Sequence, residues 1–195
     1  MKKIIASAFM LFGAFAFAQQ STEANYGVKG GLNLGNAKYE IASVEQTTSV
    51  RTSFFLGGFA EKGITDQLNI QVEGQLAFNG TTVKTELDDF TNEKNTLTQI
   101  VFNIPVLAEY KVTDDFSLQA GPYLSLLLNS SEDNKSNTEN FNTASVGLAF
   151  GAEYYFIDGF FVDLRYNQGL GDTSDVRNIS YVPNSLQIGV GYKMK

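Results

Sequence analysis

The 195-residue chain contains no cysteine and no histidine. Without histidine it cannot build a Ser-His-Asp triad or an imidazole metal site, and without cysteine it has neither thiolate chemistry nor disulfides. Carboxylates remain, but no pair of them has a spacing more specific than that of solvated acidic residues. We therefore expect a protein that is not an enzyme, with no catalytic residue, no cofactor and no metal site.

Basic residues are also scarce. The chain has 14 lysines and arginines against 21 aspartates and glutamates, a formal net charge of −7. Proteins that bind nucleic acid usually carry a basic surface. We therefore expect no nucleic-acid partner.

Long apolar runs are missing except at the N-terminus. Residues 1–18 begin with two lysines, continue with an apolar run from Ile4 to Phe17 and finish with Ala-Phe-Ala at Ala18. This pattern predicts a secretory signal peptide cleaved after Ala18, because a run of about 14 residues is shorter than the ~20 that a membrane-spanning helix needs. Cleavage removes two lysines, so the charge changes from −7 to −9, with 12 basic against 21 acidic residues. A mature chain in a membrane must then cross it as strands.

The chain does have a repeated alternation of apolar and polar residues. In eight segments the apolar residues fall mainly on even numbers, most clearly over residues 68–78. This period predicts strands with one apolar face, and the opposite face carries charged, amide and glycine residues, which suits a barrel with lipid outside and a polar interior. The predicted strands are 25–35, 51–62, 67–79, 97–111, 116–129, 143–156, 160–169 and 185–194.

The connections between these strands alternate in length. Short turns are predicted at 63–66, 112–115 and 157–159, and long loops at 36–50, 80–96, 130–142 and 170–184. A weak repeat relates 64–71 to 112–119, with Thr-Asp at both turns. Short turns on one side and long loops on the other are typical of outer-membrane barrels, whose termini lie in the periplasm.

We therefore predict an all-β fold, an eight-stranded antiparallel up-and-down transmembrane β-barrel after a cleaved signal peptide. Its parts are the signal peptide 1–18, a short segment 19–24 and the barrel domain 25–195. Because residues opposite each other in an antiparallel pair share a face, shared even parity requires paired numbers to sum to an even value, with bulges where they do not.

Two features do not fit a regular barrel. Pro105 and Pro122 lie inside strands, where proline cannot donate to the ladder, and we expect a bulge or a widened ladder there. Phe55 and Phe59 fall on odd numbers, and a bulge near Gly57-Gly58 would return them to the outer face.

The parity also assigns residues to the two faces. The odd-numbered positions place glycines inside, where they leave room for bulky residues such as Tyr123 and Tyr155, together with a polar network. The even positions place aromatic residues near the short turns, as an interfacial girdle. The predicted interior network is Lys29, Glu61, Glu73, Glu109, Glu153, Asp163 and Arg165. The predicted girdle is Tyr26, Tyr110, Phe116, Tyr154, Phe160 and Tyr192.

Several segments resemble the PorT-like outer-membrane β-barrel family of Bacteroidetes. They are the first strand Tyr26-Gly-Val-Lys-Gly-Gly-Leu-Asn-Leu34, the segment Asn103-Ile-Pro-Val-Leu107 and the closing Leu186-Gln-Ile-Gly-Val-Gly-Tyr192. The resemblance implies an OmpA/OmpX-like barrel in the outer membrane and insertion by barrel-assembly machinery. Family members usually end on an aromatic residue that this machinery recognises, and here Tyr192 would serve, because Met194 and Lys195 follow it.

The function that we expect is a structural or surface-interaction role, through four long extracellular loops and a loop partner that the sequence does not identify. Outer-membrane lipid is the other partner, and we expect a monomer. The alternatives are a narrow pore or small-ligand carrier that uses the acidic interior, and a soluble periplasmic barrel of lipocalin type. We also expect Ile70→Arg to cost ~2–4 kcal/mol if Ile70 lies near the bilayer midplane, and Gln71→Arg to cost little.

Overall fold

The computed structural model describes residues 24–41, 44–88, 91–132, 135–136, 138, 141–174 and 179–194. The predicted signal peptide lies outside these ranges, as does all of the segment 19–24 except its last residue. Within these ranges there is no helix with the length and apolar character to cross a membrane.

The described residues form nine strands, of which eight close into a barrel. β1 pairs with β2 and with β9, and β4 pairs with β5, so the antiparallel order β1-β2-β3-β4-β5-β7-β8-β9 returns to β1. The two-residue β6 pairs with the end of β5. The predicted up-and-down eight-stranded barrel is therefore confirmed. The strands are β1 Asn25–Ile41, β2 Val44–Gly63, β3 Leu68–Asp88, β4 Thr91–Lys111, β5 Phe116–Glu132, β6 Lys135–Ser136, β7 Ala144–Ile157, β8 Phe160–Leu170 and β9 Ile179–Met194.

The even-numbered register is followed along the barrel wall. Gly30 pairs with Leu56 on one side and Val190 on the other, and each pair of numbers sums to an even value. In β8 every odd residue from 161 to 169 is buried, whereas the even residues are exposed apart from the half-buried Gln168. The sum of the paired residue numbers becomes odd beyond each register shift. One such shift lies between Gly35 and Tyr39. Even residues therefore face outwards and odd residues face the barrel interior.

Two ends of the barrel can be distinguished. The turn end carries the connections 64–67, 112–115 and 158–159, together with both ends of the described chain, since Tyr26 pairs with Met194. The Thr-Asp repeat forms equivalent turns there. Thr65 Oγ1 accepts a hydrogen bond from the Leu68 amide at 3.0 Å, and Thr113 Oγ1 accepts one from the Phe116 amide at 3.0 Å. The opposite end is the loop end.

The predicted bulge at Gly57-Gly58 is wrong. The β1–β2 register is continuous from Asn25↔Glu61 to Gly35↔Arg51, so no extra residue is present. Phe55 and Phe59 instead point inwards and are buried. The β2–β3 register shift falls nearer the loop end, between Val50 and Phe55.

The strand prolines interrupt the ladder without a bulge. Between β3 and β4, Val72↔Val106 and Gln75↔Asn103 have the same sum, and the pairs between them, opposite Ile104 and Pro105, are missing. Between β4 and β5, Pro105↔Tyr123 and Ala108↔Ala120 likewise share one sum. Because proline has no amide proton to donate, the ladder loses local pairs while the strands keep their alignment.

Two of the predicted long loops are strands. β1 and β2 stay paired up to Ile41↔Val44, and β3 and β4 up to Asp88↔Thr91, so 36–50 and 80–96 are mostly hairpin. β5 also extends to Glu132, and β9 begins at Ile179 instead of residue 185. The sequence of these extensions has no regular apolar alternation, which backbone pairing does not need.

Candidate functional site

The outer wall of the barrel is an apolar band. Its middle lies near Gly30, where the neighbouring Leu56 and Val190 are 68 % and 60 % exposed. In β1 the band ends at Leu34, and the outward positions beyond it are polar, with Lys38 exposed. A lipocalin-type barrel needs its apolar face inside, so this arrangement does not favour that alternative.

The six predicted girdle residues lie in the parts of their strands close to the turn end. Phe116 pairs with Tyr154, and Phe160 pairs with Tyr192, with ring centroids 4.6 Å apart in the second pair. Tyr26 on β1 and Tyr110 on β4 are about half exposed. The positions suit an interfacial belt, and that role stays a prediction.

Arg165 and Lys29 lie at the centre of the barrel interior, where they share the carboxylate of Glu73. Arg165 Nη1 lies 2.7 Å from Glu73 Oε2, and Lys29 Nζ lies 2.9 Å from Glu73 Oε1. The two cations also approach Asp163 Oδ2, at 3.2 and 3.4 Å. All four side chains are essentially inaccessible to solvent. Each charge is therefore compensated only by others inside the barrel.

Amide side chains complete this network. Gln71 and Gln75 each donate to Glu73 at 2.6 Å, and Gln119 accepts a hydrogen bond from Arg165 Nη2. Glu153 is held less closely, with Oε1 at 3.7 Å from Lys29 and 3.9 Å from Arg165. The parity of the sequence placed these groups inside, and barrel closure brings together residues far apart in the chain.

A second ion pair, which the sequence analysis missed, lies nearer the turn end. Lys193 Nζ lies 2.7 Å from Glu61 Oε2, and 4.8 Å from the centroid of the Tyr155 ring. Asn69 Nδ2 donates to Glu61 Oε1 at 2.7 Å. Lys193 has an odd number in the last strand, so the parity rule could have found it. In this part of the described interior, Lys29, Arg165 and Lys193 therefore face five carboxylates.

Inward aromatic rings fill much of the remaining interior by packing over glycines. A Cβ added to Gly27 would lie 2.2 Å from the Phe59 ring, and one on Gly147 would lie 2.3 Å from the Tyr123 ring. Phe161 covers Gly191 in the same way. The predicted fit of Tyr123 to a glycine is therefore present, whereas Tyr155 packs against Phe161 at 5.2 Å between ring centroids. Rings and ion pairs together occupy much of the middle of the barrel.

A pocket of about 190 Å³ opens at the turn end. Glu109, Ser117 and Tyr155 contribute to its inner wall together with Lys193, and turn residues such as Asp114 form its rim.

A small cluster around Tyr181 lies at the loop end. Phe141, from the segment after β6, packs its ring 5.5 Å from the Tyr181 ring and bridges to Ser174. The Tyr181 amide donates to Asp172 Oδ1 at 2.8 Å, and Thr173 Oγ1 donates to the Tyr181 carbonyl at 2.9 Å. Tyr181 lies beyond the apolar band, and its burial raises the pKa of the phenol.

No group of three acidic, histidine or cysteine side chains that could hold a metal ion occurs among the described residues. The arrangement is that of a membrane-embedded barrel with an apolar outer wall, a charge-paired interior, a pocket at one end and an extended hairpin surface at the other.

The chain belongs to the outer membrane protein beta-barrel domain family, whose model matches residues 17–175. It is an outer-membrane β-barrel protein. No curated protein matches the chain.

Solved structures with the same fold include Neisserial surface protein A, at 18 % identity and a TM-score of 0.50, covering 89 % of this chain and all of that one. The outer membrane protein OprG from Pseudomonas aeruginosa is 14 % identical with a TM-score of 0.50, covering 88 % of this chain and 96 % of that one. At these identities the likeness concerns the fold alone.

Proposed function

We propose that this barrel is a membrane anchor that presents its loop-end hairpins as a surface for interaction, and that its interior does not conduct solutes. The observation that carries this proposal is the paired interior. The side chains of Arg165, Lys29 and Glu73 lie across the middle of the barrel and are almost completely buried. An eight-stranded barrel is just wide enough for its side chains to fill.

Single-channel recording in planar bilayers tests the closed interior. The purified full barrel should give no steady conductance. The runner-up function, a narrow pore through the acidic interior, requires a steady conductance that Glu109→Gln and Glu153→Gln reduce. That result would remove the proposal of a closed barrel.

The extended hairpins supply the interaction surface. β1–β2 and β3–β4 continue as paired strands to Ile41↔Val44 and Asp88↔Thr91, beyond the end of the apolar band at Leu34. Chain that stays ordered past the membrane boundary can present a fixed surface at low entropic cost on binding. We infer that the unidentified partner contacts these two hairpins.

A pull-down with truncated hairpins tests that inference. Variants that lack the tips of β1–β2 or β3–β4 should keep the heat-dependent gel mobility of a folded barrel and lose the captured partner. A partner retained by both truncated barrels would show that the hairpins are not the contact.

In the orientation that we propose, the turn end and both termini lie in the periplasm and the hairpins lie outside the cell. The short turns and chain ends at one end support it, since outer-membrane barrels place them in the periplasm. Protease added to intact cells should cleave an epitope tag inserted at the β1–β2 tip, and should leave a C-terminal tag intact until the outer membrane is permeabilised. The reverse pattern would invert the orientation.

Within the family, we propose a place among the PorT-like barrels of Bacteroidetes, as a monomer inserted by the barrel-assembly machinery. The Asn103–Leu107 segment and the closing strand around Tyr192 support the placement. Tyr192→Ala should slow insertion more than Phe160→Ala, its ring partner at 4.6 Å, if Tyr192 serves as the recognition residue. Equal insertion of the two variants into outer membrane would remove that role.

A further inference from the structure

We propose that the free edge of β4 at the loop end binds an acidic, extended segment of a partner protein as an added strand. The inference rests on the proposed interaction surface, because it names the part of that surface and the mode of contact. Three features carry it: the strand pairings at the loop end, the direction of the β4 amides and the charges in the register.

Beyond the apolar band the barrel wall continues as an open sheet of five strands, in the order β9-β1-β2-β3-β4. The pairing of β4 with β5 ends at Leu97↔Glu132, and that of β8 with β9 ends at Gln168↔Asn184. The ladders among the five strands continue further towards the loop end. An open sheet has two edges, and an unpaired edge is a template for another strand.

The β9 edge of this sheet is covered by the chain itself. Thr173 N and Oγ1 both donate to the Tyr181 carbonyl at 2.9 Å, and the Tyr181 amide donates to Asp172 Oδ1 at 2.8 Å. Pro183, two residues further along β9, has no amide proton to offer. Proteins commonly protect sheet edges by such covering segments and by proline.

The β4 edge has no such protection in the part of the chain that the structure describes. From Thr91 to Thr96, no described strand pairs with the side of β4 that faces away from β3. This stretch of six residues also contains no proline. It is therefore the edge at which a further strand can be added.

The direction of the β4 amides follows from one hydrogen bond at the turn end. The Lys111 amide donates to the Gln67 carbonyl, directly before β3, at 2.8 Å. Successive amides of an antiparallel strand point to opposite sides, and the β3–β4 register is unshifted from Leu68↔Tyr110 up to Glu86. The odd-numbered amides of β4 therefore point to β3. The amides of the even-numbered edge residues, Asn92, Lys94 and Thr96, point to the free edge, and each of these residues also offers a carbonyl there.

The charges in the register favour an acidic partner segment. Lys94 lies directly opposite Lys84 of β3, and Lys84 lies opposite Thr47 of β2. Glu86 lies opposite Asn92, so on its β3 side Lys94 has a lysine and not a carboxylate directly opposite. Like charges placed directly opposite destabilise an antiparallel pair, whereas opposite charges stabilise it. An added strand with a carboxylate opposite Lys94 would supply that opposite charge, while main-chain hydrogen bonds provide the affinity.

The test uses the full barrel in lipid nanodiscs, with the synthetic peptide acetyl-Thr-Val-Thr-Glu-Thr-Val-Thr-amide as the probe. The peptide should shift the amide resonances of Lys94 and Thr96 in a saturable way. It should shift those of Glu93 and Asn95 less, because the even-numbered amides gain a hydrogen bond and the odd-numbered ones already bond β3. A peptide with lysine in place of glutamate should bind with a Kd about threefold higher, since an opposite-charge pair becomes a like-charge pair.

Thr96→Pro removes one edge amide and leaves the amides that bond β3. This variant should keep the heat-dependent gel mobility of a folded barrel and raise the Kd of the peptide about tenfold. Thr96→Ala is the matched control, because it keeps the amide, and it should leave the Kd unchanged. If Thr96→Pro does not fold, Asn92→Pro and Asn92→Ala replace the two variants.

Three results would overturn the proposal: no saturable shift in the wild-type barrel, equal shifts of the odd and even amides, or an equal Kd in the proline and alanine variants. A barrel that dimerises in detergent without peptide, and becomes monomeric on Thr96→Pro, would assign the edge to a second copy and would also overturn it. A partner lost on truncation of the hairpins but retained by Thr96→Pro would keep the proposed hairpin surface and refute strand addition at β4.

Discussion

Replacing Arg165 by glutamine should destabilise the barrel by about 3–5 kcal/mol, the cost of leaving buried charge without its partner. Arg165 is fully buried and lies 2.7 Å from Glu73 and 3.2 Å from Asp163. Glutamine keeps part of the side-chain volume and removes the charge. The interior would then hold two cations against five carboxylates, at a point where water cannot replace the missing contacts.

A double-mutant cycle separates this pairing from packing. Glu73→Gln alone should also be destabilising by about 3–5 kcal/mol, because Arg165 and Lys29 both lose their shared carboxylate. In the double variant the second change removes a charge that has already lost its main partner. We therefore expect the combined loss to fall short of the sum of the two by about 2 kcal/mol or more, within the range measured for residues in one network.

The chain has no tryptophan, so unfolding is best followed by gel mobility after urea equilibration in lipid vesicles. Arg51→Gln is the control. Its guanidinium bonds the Thr98 hydroxyl at 2.7 Å near the loop end, and its removal should cost about 1 kcal/mol. Additivity of Arg165→Gln and Glu73→Gln to within about 0.5 kcal/mol would refute the reasoning, because it would show that the two charges do not stabilise each other.

Two further predictions concern the packing and the wall. Gly147→Ala should lower the free energy of unfolding by about 1–3 kcal/mol, because its Cβ would meet the Tyr123 ring at 2.3 Å, whereas Gly58→Ala, with its nearest atom at 3.4 Å, should be nearly neutral. Similar urea midpoints for the two would argue against ring-over-glycine packing. Leu56→Arg, at the middle of the apolar band, should cost about 2–4 kcal/mol, and Val50→Arg, six residues nearer the loop end on the same face, about 0–1 kcal/mol. Equal losses of stability for these two variants in vesicles would show that the membrane is placed wrongly on the barrel.

The assignment of residues to faces could be made from the sequence because lipid imposes it. An outward position within the membrane must be apolar, and strand geometry makes the period two, so the register recorded in residues 68–78 extends to every strand. Inward polar residues then follow without further information. The register does not give the position of a residue along the barrel axis. Glu73 and Arg165 are 92 positions apart and meet only because closure fixes the stagger of the strands.

Position in the barrel also explains why the structure changes the expected effects of two substitutions. Ile70 pairs with Lys62 and with Ala108, within two residues of the Tyr110 girdle position, so it lies near the turn end and not at the midplane. Leu56, opposite Gly30, lies nearer the middle of the apolar band. Gln71, expected to accept arginine readily, is fully buried and donates to Glu73 at 2.6 Å. An interior position in a filled barrel is polar and also tightly packed.

The strands beyond the membrane escaped prediction for a different reason. Past Leu34 the sequence of the hairpins loses its period of two, although the backbone pairing continues to Ile41↔Val44. Phe55 and Phe59 show the reverse case. Their apolar side chains suggested the outer face, but inward glycines such as Gly27 leave space that a ring fills, and this compensation is visible only when both strands are seen together.

The Arg165–Glu73 pair lies between the turn-end pocket and the cluster around Tyr181. Opening that pair would leave both charges buried and without their main partner. Coupling between the ends would require a second arrangement of the network with both charges compensated. An end-to-end effect would therefore point to rearrangement of Lys29 and Arg165.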